Sequence, residues 1–186
     1  MALRTLSHTH SPIYRVVRRN WTDPLDTSFS RAANNRWNPP DAFSVLYTAC
    51  SEEVARAVVQ DIFAVMGAGI ADLTDEALPQ LCEIDWAGSP VDVATPEGVS
   101  AAGFPSEYPD RVATTTTQAH AIEWNRNGLD GVVCRSASMW RLGLSNWLGD
   151  HESWSELAIF TENATQSPSL VSRRDDLEWL LPDDLP

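Results

Sequence analysis

Two guanidinium groups, an indole and an amide lie close together in Arg31-Ala-Ala-Asn-Asn-Arg36-Trp37-Asn38-Pro39-Pro40, and a phenol follows at Tyr47. An arginine presents a planar fork of donors that engages phosphate oxygens two at a time, and an aromatic face stacks on a flat heterocycle. Set in a turn-forming segment just ahead of the apolar run Ser44-Val45-Leu46-Tyr47, these groups have the chemistry to hold a nucleotide with a diphosphate. The same residues also make ordinary surface turns, with Asn38-Pro39-Pro40 breaking the chain and Trp37 capping a core.

The elements that would position these groups follow from pattern. Ile13 to Val17 and Val45 to Ala49 read as strands, rich in β-formers and bounded by breakers. Ser51 is a good N-cap, and Glu52 and Glu53 favour the positive end of a helix dipole, so a helix is expected from Ser51 to about Met66, stopped by Gly67. At about 100° per residue Val54, Val58, Ile62 and Val65 share one sector, widened by Ala55, Val59 and Met66, and Asp61 falls about 60° from Val58 at its margin. Leu81 to Trp86 reads as a strand and Pro90 to Tyr108 as a loop-rich excursion. The threonines of Thr114 to Thr117 are placed to cap a helix from about Gln118 to Asn127. Gly131 to Cys134 reads as a buried strand that delivers Arg135 and Ser136 at its end, and Leu157 to Phe160 as the last core strand. From Glu162 the chain turns polar, and Leu177-Glu178-Trp179-Leu180-Leu181 looks like a docking segment. Gly67-Ala68-Gly69 follows a helix rather than a strand, so it is no dinucleotide fingerprint.

With 186 residues, 43% hydrophobic and 21% charged, the chain can bury one substantial core. A net charge of -13 argues against direct nucleic-acid binding and against anionic membrane surfaces. It also requires that any nucleotide pocket be locally basic. Arg15, Arg18, Arg19, Arg31 and Arg36, five of the thirteen basic residues, cluster early in the chain and are the candidates for that task. Cys50, Cys82 and Cys134 lack paired spacing and read as reduced interior thiols. His8 and His10 sit in a polar amino terminus with no third ligand nearby, and His120 and His151 are isolated, so no metal is expected. No signal peptide or membrane span is evident, which leads to the expectation of a cytoplasmic protein.

Ile13-Tyr14-Arg15-Val16-Val17, Arg36-Trp37-Asn38-Pro39-Pro40, Leu46-Tyr47, Thr117-Gln118-Ala119 and Gly131-Val132-Val133-Cys134-Arg135-Ser136-Ala137, taken in this order, resemble the RES domain family. The resemblance implies an α+β fold similar to the ADP-ribosyltransferases, a mixed β-sheet core with flanking helices. It places the domain over residues 12–162, followed by a polar segment, residues 163–186, docking on it. Family members are typically toxins of bacterial type II toxin-antitoxin systems, encoded beside a helix-turn-helix (Xre-type) antitoxin. They consume NAD as substrate by hydrolysis or phosphorolysis of the nicotinamide-ribose bond, or transfer ADP-ribose to a protein.

Residue by residue, the resemblance makes Arg36 the arginine and Ser136 the serine of the family name, with Arg15 and Tyr47 lining the nucleotide pocket. Arg36 and Arg15 would hold phosphate oxygens, Tyr47 would contact the nicotinamide riboside, and Ser136 would anchor a ribose hydroxyl or the carboxamide. The family glutamate, about eleven residues past the tyrosine, falls on Val58 here, and Asp61 is the nearest helical carboxylate to take its place. Two functions follow: an NAD-consuming toxin acting through Arg36, Tyr47, Ser136 and Asp61, or a catalytically weakened nucleotide-binding or protein-interaction module.

Overall fold

In the computed structural model, which describes residues 2–8, 12–144 and 154–181, seven strands form one mixed sheet. In chain order these are β1 (Ile13–Arg18), β2 (Val45–Ala49), β3 (Pro79–Asp85), β4 (Val91–Val93), β5 (Gly131–Arg135), β6 (Ser155–Phe160) and β7 (Ser169–Arg174). They lie side by side as β4-β5-β6-β2-β1-β3-β7. Only β4 and β5 run parallel; every other neighbouring pair is antiparallel. Five helices accompany the sheet among the described residues: α1 (Ser28–Ala32), α2 (Glu52–Met66), α3 (Pro96–Ala101), α4 (Thr114–Arg126) and α5 (Ala137–Arg141). This is the expected α+β class. His10 and His151 lie outside the described residues.

Strand alternation assigns the faces. Val45 of β2, Val132 and Cys134 of β5 and Ala158 and Phe160 of β6 pack with Trp37 and Trp124 of α4 in one cluster. Ala49, Leu81, Tyr14 and Val16 pack with Val54, Ala55, Ala57 and Val59 of α2 and with Met139, Trp179 and Leu180 in a second. Both clusters lie on the same side of the sheet. Ile13, Leu46, Ile84, Val133, Leu157 and Ile159 pack with Trp86 on the opposite side, covered by coil residues such as Leu6 and Leu25.

Helix α2 follows its sequence signals: Ser51 Oγ accepts from the Val54 N–H at 3.2 Å, and Gly67 takes the left-handed conformation, φ 62°, that ends it. Its buried side is Val54, Ala55, Ala57, Val59 and Asp61, while Ile62 and Val65, expected in the apolar sector, are exposed. In its last turn only Phe63 still packs against the core beneath α2. Cys82 and Cys134 are buried and Cys50 half-buried, all as free thiols.

Three segments differ from expectation. Residues 90–108 hold β4 and α3 rather than loop, with Thr95 capping α3 by accepting from the Gly98 N–H and Pro96 in its first turn. Thr114 to Thr117 form the first turn of α4 instead of capping it; Ala113 precedes them without a side-chain cap. Past Glu162, where a polar stretch was expected, β7 adds an edge strand to β3; Trp179 and Leu180, in the segment read as docking, are buried against α2, where Arg56 Nε donates to the Trp179 carbonyl at 2.7 Å.

Candidate functional site

The segment carrying Arg36 has no regular structure, so side chains must fix its shape. Asn38, fully buried, donates through Nδ2 to the Ser30 carbonyl at 2.6 Å, and its Oδ1 accepts from the Tyr47 hydroxyl at 2.8 Å. The Tyr47 oxygen in turn accepts from the Trp37 N–H at 3.1 Å. From α4, Gln118 Nε2 donates to the carbonyls of Asn35 at 2.7 Å and Asn38 at 3.2 Å, and the Thr117 hydroxyl donates to the Arg36 carbonyl. Buried amides that satisfy loop carbonyls in this way hold an irregular backbone in one conformation.

This loop forms one wall of a cleft between the two clusters on the helical side of the sheet. One lobe, about 420 Å³, is lined by Arg36, Tyr108, Pro109, Thr117, Ser138 and Arg141 among others; a second, about 400 Å³, by Tyr14, Val16, Ala49, Ala55 and Ile62. Asn35, Tyr47, Val58 and Glu156 line both, so the lobes meet there. Each lobe has the size of an ordinary small-molecule site.

Two cations face the first lobe. Arg36 Nη1 donates to the Arg135 carbonyl at 3.1 Å, Nη2 donates to the Tyr108 hydroxyl, and the guanidinium carbon sits 4.9 Å from the centre of the Tyr108 ring. Burial works against the Arg36 charge while Tyr108, Cys134 and Glu156 favour it, and the balance lies upward, so this group stays cationic. Arg141 is gripped by Asp61, its Nε 2.9 Å from Oδ1 and its Nη2 also on the carboxylate, and Ser138 Oγ donates to Asp61 Oδ2 at 2.9 Å. Burial raises the Tyr47 phenol, opposed by the Trp37 N–H, and raises the Tyr108 phenol, opposed by Arg36; both are neutral at physiological pH. Ser136 follows β5 directly and has no exposed surface. Its Oγ caps α5 by accepting from the Met139 N–H at 3.2 Å and donates to Glu156 Oε1 at 2.6 Å.

Arg36, Tyr47 and Ser136 are therefore brought together, but two other sequence candidates are placed differently. Arg15 is among the residues lining the second lobe, but its guanidinium is engaged elsewhere: Nη2 donates to the Asp26 carbonyl at 3.1 Å and the group lies 5.8 Å from the Trp21 ring. Its neighbours Tyr14 and Val16 are the residues of β1 whose side chains pack on the cleft side. Asp61 is committed to Arg141 and Ser138 instead of standing free in the cleft. The early arginine cluster does not converge either: Arg31 pairs with Glu162 at 2.8 Å, Arg19 donates to the Asp175 carbonyl at 2.6 Å, and Arg18 is exposed. Trp37 is a core residue, 5.9 Å from Trp124 between ring centres. His120 packs edge-on against Phe104.

Glu156, Tyr108 and Arg141 were not anticipated. Tyr108 arrives on a loop that Arg135 pins, its Nη1 donating to the carbonyls of Ser106 at 2.9 Å and Tyr108 at 2.8 Å and its Nε to that of Ala94 at 3.0 Å. Glu156 precedes the apolar run from which β6 was expected to start, and its place is set by pairing with Ala49 of β2 and Cys134 of β5. Among the described residues no group of three His, Cys, Asp or Glu side chains is arranged to hold a metal ion, and no helix is long and apolar enough to cross a membrane.

The fold is similar to that of a chain in the crystal structure of the M. tuberculosis MbcT-MbcA toxin-antitoxin complex, with a TM-score of 0.72, 21% sequence identity, and coverage of 91% of this chain and 85% of that one. No curated protein matches the sequence. The RES domain model matches residues 12–179, nearly the whole chain, and the protein belongs to the RES domain family.

Proposed function

We propose that this protein is the toxin of a toxin-antitoxin pair and that it consumes NAD by breaking the nicotinamide-ribose bond. The observation that carries the reading is the two-lobed cleft with a half-buried, permanently charged Arg36 at its wall, in a chain of the RES family. A dinucleotide needs two compartments and a cation near its diphosphate. Arg36, joined by Arg141, serves the phosphate oxygens in place of the pairing with Arg15 that the sequence favoured. Tyr47 and Tyr108 supply aromatic walls for the nicotinamide riboside. Ser136 acts from behind the surface through its hydrogen bond to Glu156, and Asp61 holds Arg141 in position.

The toxin reading brings a partner with it, a helix-turn-helix antitoxin of the Xre type. The family membership and the likeness to a chain of a toxin-antitoxin complex support a protein partner. We place the protein in the cytoplasm, where NAD is kept. A second reading, a nucleotide-binding or interaction module with little turnover, draws on Val58, which puts an apolar side chain between the lobes.

Incubating the purified protein with NAD, with and without inorganic phosphate, and following nicotinamide release separates the two. Release, with ADP-ribose or its phosphorylated counterpart as co-product, and growth arrest on expression are expected. Binding without release and without arrest would leave the module.

A further inference from the structure

Breaking a bond between ribose and a pyridinium ring leaves positive charge on the sugar, and an anion fixed beside that carbon offsets it. The cleft-lining side chains include one acid, Glu156, at the seam where the two lobes meet. Asp61 is spent on Arg141 and Ser138, and Val58, also at the seam, is apolar. Ser136 Oγ fixes Glu156 Oε1 at 2.6 Å, and no hydrogen bond among the described residues engages Oε2. A carboxylate held by one oxygen, with the other available to a ligand, is oriented for electrostatic work.

Building on the NAD-cleaving reading, we propose that Glu156 is the catalytic carboxylate of this cleft. Its free oxygen accepts a hydrogen bond from a hydroxyl of the nicotinamide ribose and faces the charge that develops at C1′. The C1′–N bond breaks with its electron pair passing to the ring nitrogen, so that nicotinamide leaves neutral. The oxocarbenium ion is captured at C1′ by water, whose proton is released through Glu156 to solvent, or by an oxygen of inorganic phosphate. The sheet, rather than helix α2, then supplies the acid, and Ser136 is the positioning residue behind it.

The test compares nicotinamide release and the NAD dissociation constant for the full chain and for Glu156→Gln, which keeps the shape and the hydrogen bond from Ser136 while removing the charge. The expected result is a fall in turnover of about a hundredfold or more with the dissociation constant within about threefold. Glu156→Asp, which keeps the charge but withdraws it by one methylene, is expected to turn over faster than the Gln variant. Wild-type release with an equally active Gln variant would overturn the role of Glu156 and leave the NAD-cleaving reading standing. Turnover and affinity falling together would show a structural residue and overturn it as well. No release by the wild-type chain would remove both readings.

Discussion

Tyr47→Phe separates what the phenol does for the protein from what it does for a ligand. The hydroxyl accepts from the Trp37 N–H and donates to Asn38 Oδ1, so both of its contacts are internal to the loop that carries Arg36. Removing it leaves the Trp37 N–H without that acceptor; Asn38 Oδ1 keeps the weaker donor Asn35 Nδ2 at 3.3 Å. An orphaned buried donor costs about 1–3 kcal/mol. For a domain of this size that corresponds to a melting temperature lower by about 2–12 °C. The ring itself, which faces the cleft, is unchanged, so affinity for NAD should fall by less than about threefold where the loop remains folded. Thermal and urea unfolding followed by tryptophan fluorescence give the first quantity, and calorimetric titration with NAD the second. An unchanged melting temperature with affinity lost tenfold or more would refute the reasoning, because the hydroxyl would then be serving the ligand.

Arg36→Ala should weaken NAD binding by about 1.5–3 kcal/mol, roughly tenfold to 150-fold in dissociation constant; an unaltered constant would remove Arg36 from the phosphate site. The Asp61 carboxyl is held below its ordinary range, chiefly by its hydrogen bond from Arg141, with burial opposing and Ser138 assisting. Its contribution to stability is therefore complete above about pH 4, the unfolded value, and lost as pH falls through the lower folded value. Asp61→Asn should thus lower stability at pH 7 and flatten the loss between pH 4 and pH 2, measured as urea midpoints; parallel curves for the two proteins would contradict this. Trp179→Ala should cost about 3–5 kcal/mol, since the indole is buried against α2, and a chain as stable as the wild type in urea would show that the carboxyl-terminal segment is dispensable.

What the sequence made legible was local. Ser51 and Gly67 bracket α2, and β1, β2 and β5 announce themselves by branched residues. Thr95-Pro96-Glu97 carries an N-cap, a first-turn proline and an acid, signals sufficient to find α3, but they were submerged in a run of small residues. Strand β7 is largely exposed at the sheet edge, so no apolar alternation marks it. Alternation alone puts Tyr14 and Arg15 on opposite faces; which face holds the cleft depends on the register of β2 against β6, which no local pattern encodes. Glu156 was missed for the same reason, since its neighbours Ala49 and Cys134 are remote in sequence. Arg36, Tyr47 and Ser136 were singled out from the sequence because a family resemblance carries long-range information that periodicity lacks.

Arg135 lines neither lobe of the cleft, yet its backbone steadies Arg36 while its side chain ties down three carbonyls on two separate segments. A lysine there would preserve the charge but, as a single-headed donor on a flexible stem, could not straddle Ala94 and the Tyr108 turn together. The mouth of the first lobe would slacken although no wall residue had changed. Any redesign of the cleft can therefore vary its lining freely only while this rivet stays in place.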